Sequence, residues 1–431
     1  MPTMNKIRTA RSRFSDWRRP GGPGPAGSLT VLRVAVTAFF AMDGFVFAGW
    51  VVRIPEVKAQ VGAAPAALGL ALLGVSGGAV ATMTVTGRLC RRFGNHPVTI
   101  GCGLVLALGV ALPPLTHSAA ALGCVLLVFG AGYGGLNVAM NAAAVDLVVA
   151  LRRPVMPGFH AAYSFGGLAG AALGGLLAPH LSPERHLLLL AAVALAITVA
   201  AGRVLLRHPL PAAGPAPAAA PDGPRTRTDG GEAWRNVRWL VVTLGLVAMC
   251  DSYGEGAMAD WGTLHLSGDL GAGAGLAAAG YAVFALAMAI GRLAGSAALE
   301  RFGRTRVLVV GALAASAGML VAALAPVTWL VIAGYAVTGL GIANIFPAAI
   351  ARAGTLGGAN GVALASTFGY GGMLLGPPAI GFIAQGAGLP VALTTVAALA
   401  AVAALIAFAV RGADRGGGVG RGGGAARTPE G

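Results

Sequence analysis

The chain has 431 residues, of which 56% are hydrophobic and only 10% are charged, and its formal net charge is +15. A soluble protein of this length needs a more polar surface, so the composition excludes an ordinary soluble protein and indicates one that lies in a membrane. The basic residues form short clusters without interleaved aromatic residues, which argues against a nucleic-acid partner.

Apolar segments of about 20 residues, each long enough to cross a ~30 Å hydrocarbon layer, follow one another along the chain. The predicted fold is all-α and integral to the membrane, with twelve transmembrane helices arranged as two pseudo-symmetric six-helix halves. The predicted parts are a disordered tail (1–28), the first half (29–206), a linker (207–236), the second half (237–411) and a second disordered tail (412–431). The twelve spans are 29–52, 65–87, 97–115, 119–145, 158–178, 186–206, 237–259, 273–295, 305–325, 327–350, 359–385 and 389–411.

Lys and Arg residues are unevenly distributed between the two sides of these spans. If the N-terminus lies inside, 27 of the 30 basic residues fall on the inner side, and only Arg53, Lys58 and Arg185 fall outside. This distribution follows the positive-inside rule, so we expect a multi-pass protein of the plasma membrane with both termini and the linker in the cytoplasm.

A short sequence motif in the fourth span recurs in the tenth. Residues 132–137 read GYGGLN, and residues 339–344, which follow 207 residues later, read GLGIAN. A duplicated six-helix unit with a central linker is typical of secondary transporters, whose halves rock around a shared site. In the fifth span, Gly166, Gly170 and Gly174 share one helix face and predict close helix packing.

Three carboxyl groups lie inside predicted spans. Asp43 is 14 residues into the first span, Asp251 is 14 residues into the seventh, and Glu255 lies one turn beyond Asp251. An ionised carboxylate at the bilayer centre costs about 2.5–3.5 kcal/mol, so such residues are retained for a reason. We expect no Lys or Arg near mid-membrane to neutralise them. They are candidates for proton coupling and for solute binding, and the alternative is a structural hydrogen bond to a neighbouring helix.

Further polar residues in the spans are candidates for lining a substrate cavity. Buried amides in lipid either join helices or bind ligand hydroxyls, and the sequence leaves both roles open. Prolines at 347, 377 and 378 predict kinks or breaks, which line a cavity in some membrane proteins and are only tolerated in others. The cavity candidates are Asn137, Asn141, Tyr163, Asn344 and Tyr370.

Motifs for enzymatic chemistry are absent from the sequence. It contains no Walker loop with its Lys and no His, Cys and acidic cluster at metal spacing, so we expect no catalytic residue, cofactor or metal site. The four cysteines are scattered and predict neither a disulfide framework nor a zinc site.

The loop between the second and third spans resembles the signature of the major facilitator superfamily. It reads Gly87-Arg88-Leu89-Cys90-Arg91-Arg92-Phe93-Gly94, and its second copy runs from Ser296 to Arg304. Arg91 stands at the acidic position of that signature, whereas the second copy keeps the acid as Glu300. The resemblance implies a cytoplasmic gate motif formed by Gly87, Arg91, Arg92, Gly94, Glu300, Arg301 and Gly303, with an altered latch in the first half.

Three further runs, 255–261, 137–141 and 159–164, look like the branch that includes the rhizobial rhizopine permease. This resemblance implies a secondary active transporter that moves a small polar solute (a polyol, a sugar or an inositol-amine-like compound) by alternating access with protons. The expected partners are the solute, protons and the lipid bilayer, and we expect a monomer. A proton/drug antiporter for export remains open, as does a non-transporting membrane sensor or scaffold.

Overall fold

The computed structural model describes residues 25–151, 155–208 and 227–411, and within these ranges the chain is helical and contains no β-strand. The predicted all-α membrane fold is therefore confirmed. The helices of the first half are α1 (Pro25–Val51), α2 (Ile54–Val61), α3 (Pro65–Phe93), α4 (Asn95–Gly109), α5 (Ala119–Leu151), α6 (Met156–Leu177) and α7 (Pro183–Arg207). Those of the second half are α8 (Arg227–Leu264), α9 (Ala274–Phe302), α10 (Arg304–Leu324), α11 (Thr328–Ile342), α12 (Ile345–Ala387) and α13 (Leu389–Ala409).

Ten helices of the described ranges are long and apolar enough to cross a membrane. The predicted spans 158–178 and 359–385 are not among these ten, although they coincide with α6 and with the second part of α12. Twelve crossings therefore stay a prediction. The predicted tails and linker lie largely outside the described residues, but α8 begins at Arg227, so the last part of the predicted linker is helical.

The helix α12 covers both the end of the tenth predicted span and the whole of the eleventh. A straight helix would place Gly361 about 12 Å from Ala353, because each residue rises ~1.5 Å. Gly361 instead packs directly against the Ala353 carbonyl. The chain therefore turns back between these residues, where the sequence predicts the loop between two spans.

Two matching turns mark the signature loops of the two halves. Gly94 separates α3 from α4 with φ 90° and ψ 155°, and Gly303 separates α9 from α10 with φ 77° and ψ 154°. Glycine adopts this positive φ without the steric cost that a side chain would add. In both turns the preceding Arg lies over the ring of the Phe, at 5.2 Å for Phe93 and 5.6 Å for Phe302. The two copies of the motif thus form the same local structure.

The register of the internal repeat differs from the predicted one. Gly130 packs against the Val75 carbonyl, and Gly339 packs against the Phe284 carbonyl; both members of the second contact follow those of the first by 209 residues. The predicted offset of 207 is therefore wrong here, and Asn344 corresponds to Gly135 rather than to Asn137. Helices rich in Gly and Ala match themselves at several offsets, whereas backbone contacts select one for each pair of equivalent helices.

The two halves meet through α3 with α12 and through α6 with α9. We call the end of the bundle where α1 begins and α13 ends the terminal end, and the opposite end the distal end. Contacts between the halves at the distal end include Gly69 with the Pro377 carbonyl and Gly175 with Ala278. One hydrophobic core continues from the first half into the distal part of the second half, whereas the terminal part of the second half has its own separate core.

A buried ion network closes the distal end of the first half. The Arg53 side chain is fully buried; its Nε donates to His186 Nδ1 at 2.8 Å, its Nη1 to Glu56 at 2.9 Å and its Nη2 to the Leu181 carbonyl at 3.0 Å. The sequence predicts Arg53 as a cation of an outer loop, but the structure places its side chain inside the protein. The network fastens the start of α2 to the segment between α6 and α7.

Candidate functional site

A cavity lies between the two halves. Helices α1, α5 and α6 form its wall on the first half, and α8 and α9 form most of its wall on the second half. We call it the central cavity. Its lining includes the side chains of Phe47, Tyr133, Tyr163, Glu255, Tyr281 and Arg292.

The first half contributes aromatic rings and hydroxyl groups to the central cavity. The hydroxyls of Tyr133 and Tyr163 are 2.8 Å apart and share a hydrogen bond. The Phe47 ring stacks on Tyr133, with centroids 4.9 Å apart and an angle of 24° between the rings. This wall therefore offers an apolar face beside a hydroxyl pair, and it carries no charged side chain among the described lining residues.

The second half contributes an ion pair. The Arg292 Nη2 lies 3.3 Å and 3.4 Å from the two carboxylate oxygens of Glu255. The side chains are 37% and 40% exposed, respectively, so the pair faces the cavity instead of lying within the protein. The expectation that no Lys or Arg lies near mid-membrane to neutralise the three acids is therefore wrong for Glu255. The available signal was the position of Arg292 inside the predicted span 273–295, ahead of the basic residues of the following loop.

Asp43 and Asp251 occupy equivalent positions in the two halves. Gly166 packs against the Ala41 carbonyl and Gly372 against the Met249 carbonyl, and each carbonyl lies two residues before the aspartate of its helix. The predicted glycine stripe of α6 is confirmed by these contacts, because Gly170 also packs against α1, at the Phe45 carbonyl, and Gly174 packs against Val52 just beyond α1 and against His186 of α7.

The two aspartates are buried behind the cavity wall. Asp43 is 0% exposed and Asp251 is 4% exposed. Among the described residues, neither oxygen of Asp43 and not the Oδ1 of Asp251 has a hydrogen-bond partner. Asp43 is adjacent to Gly44, which lines the cavity, and Asp251 lies one turn before Glu255. An unpaired carboxyl group in this setting is costly when ionised and therefore suits a functional role.

Four other predicted cavity residues lie elsewhere. Asn141 donates to the backbone carbonyl of Asn137 at 2.7 Å within α5. Asn344 donates to the Gly291 carbonyl at 2.8 Å and so joins the start of α12 to α9. Tyr370 is 41% exposed and, like the three Asn residues, is not among the described residues that line the central cavity. Of the predicted site residues, the structure brings only Tyr163 and Glu255 together there.

The predicted gate residues lie at the terminal end. Arg91, Arg92, Glu300, Arg301 and Gly303 are exposed there, and Gly87 and Gly94 are half-buried.

A residue beside the altered motif makes a hydrogen bond of its own. The Nδ2 of Asn95 donates to Asp146 Oδ2 at 2.6 Å, which ties the start of α4 to the end of α5. Asn95 follows the altered motif directly, so the first-half loop is held by a bond that the signature residues do not supply.

A second cavity lies between α6 and α9, toward the terminal end. We call it the side cavity. Its lining is mostly apolar and includes the exposed side chains of Phe165 and Leu293. Tyr163 and Arg292 line both cavities, so the two spaces meet at these residues.

Comparison with known proteins agrees with this architecture. The family model described as Major Facilitator Superfamily matches residues 34–265 and 244–428. An uncharacterized MFS-type transporter of Yersinia pestis is 35% identical over 369 residues, which cover 85% of this chain and 92% of that relative. The membrane protein MosC of Rhizobium meliloti is 30% identical over 380 residues, which cover 87% of this chain and 88% of that one.

Solved structures share the fold at low sequence identity. The nucleoside transporter NupG superposes with a TM-score of 0.70 at 15% identity, covering 88% of this chain and 100% of that one. A bacterial homolog of the human lysosomal transporter Spinster superposes with a TM-score of 0.71 at 14% identity, covering 90% of this chain and 97% of that one.

Proposed function

The chain belongs to the major facilitator superfamily, and we propose that it moves a small polar solute through the central cavity by alternating access, coupled to protons. It is a multi-pass membrane transporter and not an enzyme. The observation that carries the finer proposal is the pair of equivalent, buried aspartates beside a cavity between the halves. Neither oxygen of Asp43 and not the Oδ1 of Asp251 has a hydrogen-bond partner among the described residues.

A polar, hydroxylated solute fits the lining of the central cavity. The Tyr133 and Tyr163 hydroxyls can exchange their mutual hydrogen bond for bonds to a solute hydroxyl, and the Phe47 face can pack on its ring carbons. The resemblance to the rhizopine-permease branch likewise implies a polyol, a sugar or an inositol-amine-like solute. Inositols and hexoses are therefore the first compounds to test.

Proton coupling is assigned to Asp43 and Asp251, with Glu255 as the acid that faces the solute. A carboxyl group that lies in the membrane without a fixed partner suits a site that binds a proton in one state and releases it in the other. We place these groups in both halves because the contacts of Gly166 and Gly372 put the aspartates at matching positions.

Alternating access is supported by the unequal contacts at the two ends. The halves share a core at the distal end, whereas the second half has a separate core at the terminal end. We propose that the structure is the state closed on the distal, outer side, in the plasma membrane, with the termini in the cytoplasm. The positive-inside distribution of Lys and Arg supports that orientation. We take the transporting unit to be one chain, because each chain encloses a complete cavity.

The test is solute-dependent proton flux in proteoliposomes. A pH-sensitive dye is enclosed, and inositols, aminocyclitols, hexoses and cationic drugs are added in turn. Flux with a hydroxylated solute that is lost in Asp251→Asn and retained in Glu184→Gln, which changes an exposed acid at the distal start of α7, is the expected result. Unchanged flux in Asp251→Asn would overturn the coupling, and no flux with any hydroxylated solute would overturn the solute class.

The side cavity favours a second candidate function, the export of an amphiphilic compound in exchange for protons. Its apolar lining between α6 and α9 would suit a larger apolar group than the central cavity does. In the same assay, flux with the cationic drugs and none with inositols or hexoses would favour this function.

A further inference from the structure

We propose that Arg292 is the binding residue for a carboxylate group of the transported solute, so that the solute is a hydroxylated acid of the sugar-acid class. The proposal rests on the proposed function, because it places a solute in the central cavity, and it adds the charge of that solute. Arg292 belongs neither to the predicted acids nor to the gate motif.

The guanidinium group of Arg292 is only partly used within the protein. It reaches Glu255 through Nη2 alone, at 3.3 Å and 3.4 Å, and these distances exceed the ~2.7–2.9 Å of a strong charge-assisted bond. Its Nη1 and Nε have no hydrogen-bond partner among the described residues. Nη1 and Nε therefore keep free N–H donors, but they lie on different edges of the planar guanidinium. A solute carboxylate can bind Nη1 through one oxygen, or it can bind the Nη1–Nη2 edge through both oxygens when Glu255 moves away from Nη2.

Glu255, unlike Arg292, has both of its charged atoms engaged within this pair. Both of its carboxylate oxygens face the same nitrogen of Arg292, so it offers less to a cationic solute than Arg292 offers to an anionic one. A solute carboxylate that binds Nη1 alone would leave this pair in place, and one that binds Nη1 and Nη2 together would displace Glu255 from Nη2. Neither event requires a bond to be made or broken covalently.

The side cavity adds to the preference for an anion. Its described lining contains Arg292 and His160 and no carboxylate. Arg292 lines both cavities, so an anion approaching through the side cavity meets the guanidinium before it meets Glu255. Tyr163 also lines both spaces, and its hydroxyl could bind a hydroxyl of the same solute.

Three hexose derivatives that differ in charge test the proposal. Glucuronate, glucose and glucosamine are added at equal ionic strength to the purified full-length protein in a neutral detergent, and binding is measured by thermal unfolding. We expect glucuronate to bind most tightly. Arg292→Gln should weaken glucuronate binding at least about tenfold, because a charged hydrogen bond is lost. The exposed-residue control Arg185→Gln should keep the preference.

Four results would overturn the inference: no binding of glucuronate to the folded wild type, equal binding of the three compounds, a preference for glucosamine, or an unchanged preference in Arg292→Gln. A further arm adds phosphatidylglycerol or phosphatidylcholine. Stabilisation by phosphatidylglycerol that requires Arg292, without any effect of glucuronate, would assign the site to a lipid headgroup and overturn the solute. Proton flux with glucose but no glucuronate binding would leave the proposed function standing without this inference. Glucuronate binding through Arg292 without flux for any solute would do the reverse.

Discussion

Asp43 in α1 and Arg53 just beyond its distal end are both fully buried, but they differ in their hydrogen-bond partners. Asp43 has no hydrogen-bond partner among the described residues, whereas Arg53 has an imidazole, a carboxylate and a carbonyl within 3.0 Å. Burying a charge without partners costs free energy. Removing one member of a buried, hydrogen-bonded group is costly as well, because the remaining members stay buried without a partner. The two residues should therefore respond differently to removal of the charge.

Asp43→Asn should leave the thermal stability of the protein unchanged or raise it. The amide has nearly the same shape as the carboxyl group and carries no charge to desolvate, and the substitution removes no observed hydrogen bond. The measurement is the apparent melting temperature in detergent. A fall of several degrees would show that the carboxylate has a partner that stabilises the fold.

Arg53→Met should destabilise the protein by about 3 kcal/mol or more, because the substitution leaves Glu56, His186 and the Leu181 carbonyl without their partner inside the protein. The exposed neighbour Arg185 provides the control, since Arg185→Met removes the same charge without a buried contact. Equal melting temperatures of the two variants would argue against a structural role of the network.

The residue scale also shows what could not be predicted from the sequence. The linear sequence alone shows a carboxylate inside an apolar span, and for this reason it predicts Asp43, Asp251 and Glu255 as candidates. The pairing of Glu255 with Arg292 depends on how α8 and α9 are rotated and on the reach of a long side chain. In the sequence, Tyr133 is only one position of the repeated six-residue motif. The hydrogen bond with Tyr163 is what identifies it as a cavity residue.

Among the elements, the glycines that join helices carry the pseudo-symmetry of the two halves. Gly166 and Gly372 let α6 and α12 approach the backbones of α1 and α8. Without a hydrophobic drive between helices in lipid, such close backbone contact supplies much of the packing. The spans could be predicted from hydropathy, but the register of the repeat could not, because Gly and Ala recur too often to select one offset.

Gly372→Ala should destabilise the protein by about 1–3 kcal/mol, since the added methyl group would overlap the Met249 carbonyl and force α12 away from α8. Gly371→Ala is the matched control, because a methyl group there meets no atom within 4 Å. Thermal unfolding of the two variants measures the difference. Equal stability would mean that α12 does not approach α8 as closely as described.

At the scale of the whole molecule, the distal closure makes a prediction about motion. In a chain whose native cysteines are replaced by Ser, a cysteine pair at positions 175 and 278 should cross-link readily under oxidation. A Cβ at Gly175 would lie 2.9 Å from that of Ala278, and a small shift brings the pair to the ~3.5–4.5 Å of a disulfide. Transport should stop on oxidation and return on reduction, and oxidation should not change the transport of either single-cysteine variant. Full transport by the cross-linked protein would contradict alternating access.

The central claim is that Asp43 and Asp251 couple protons to solute movement through one cavity. The most direct measurement compares accumulation of the solute against its gradient with exchange at equal concentrations, in proteoliposomes with and without an imposed pH gradient. Wild type should accumulate solute only with the pH gradient. Asp43→Asn and Asp251→Asn should lose accumulation and keep exchange, because the amide resembles the proton-bound carboxyl group. Accumulation driven by the pH gradient in both variants would contradict the account.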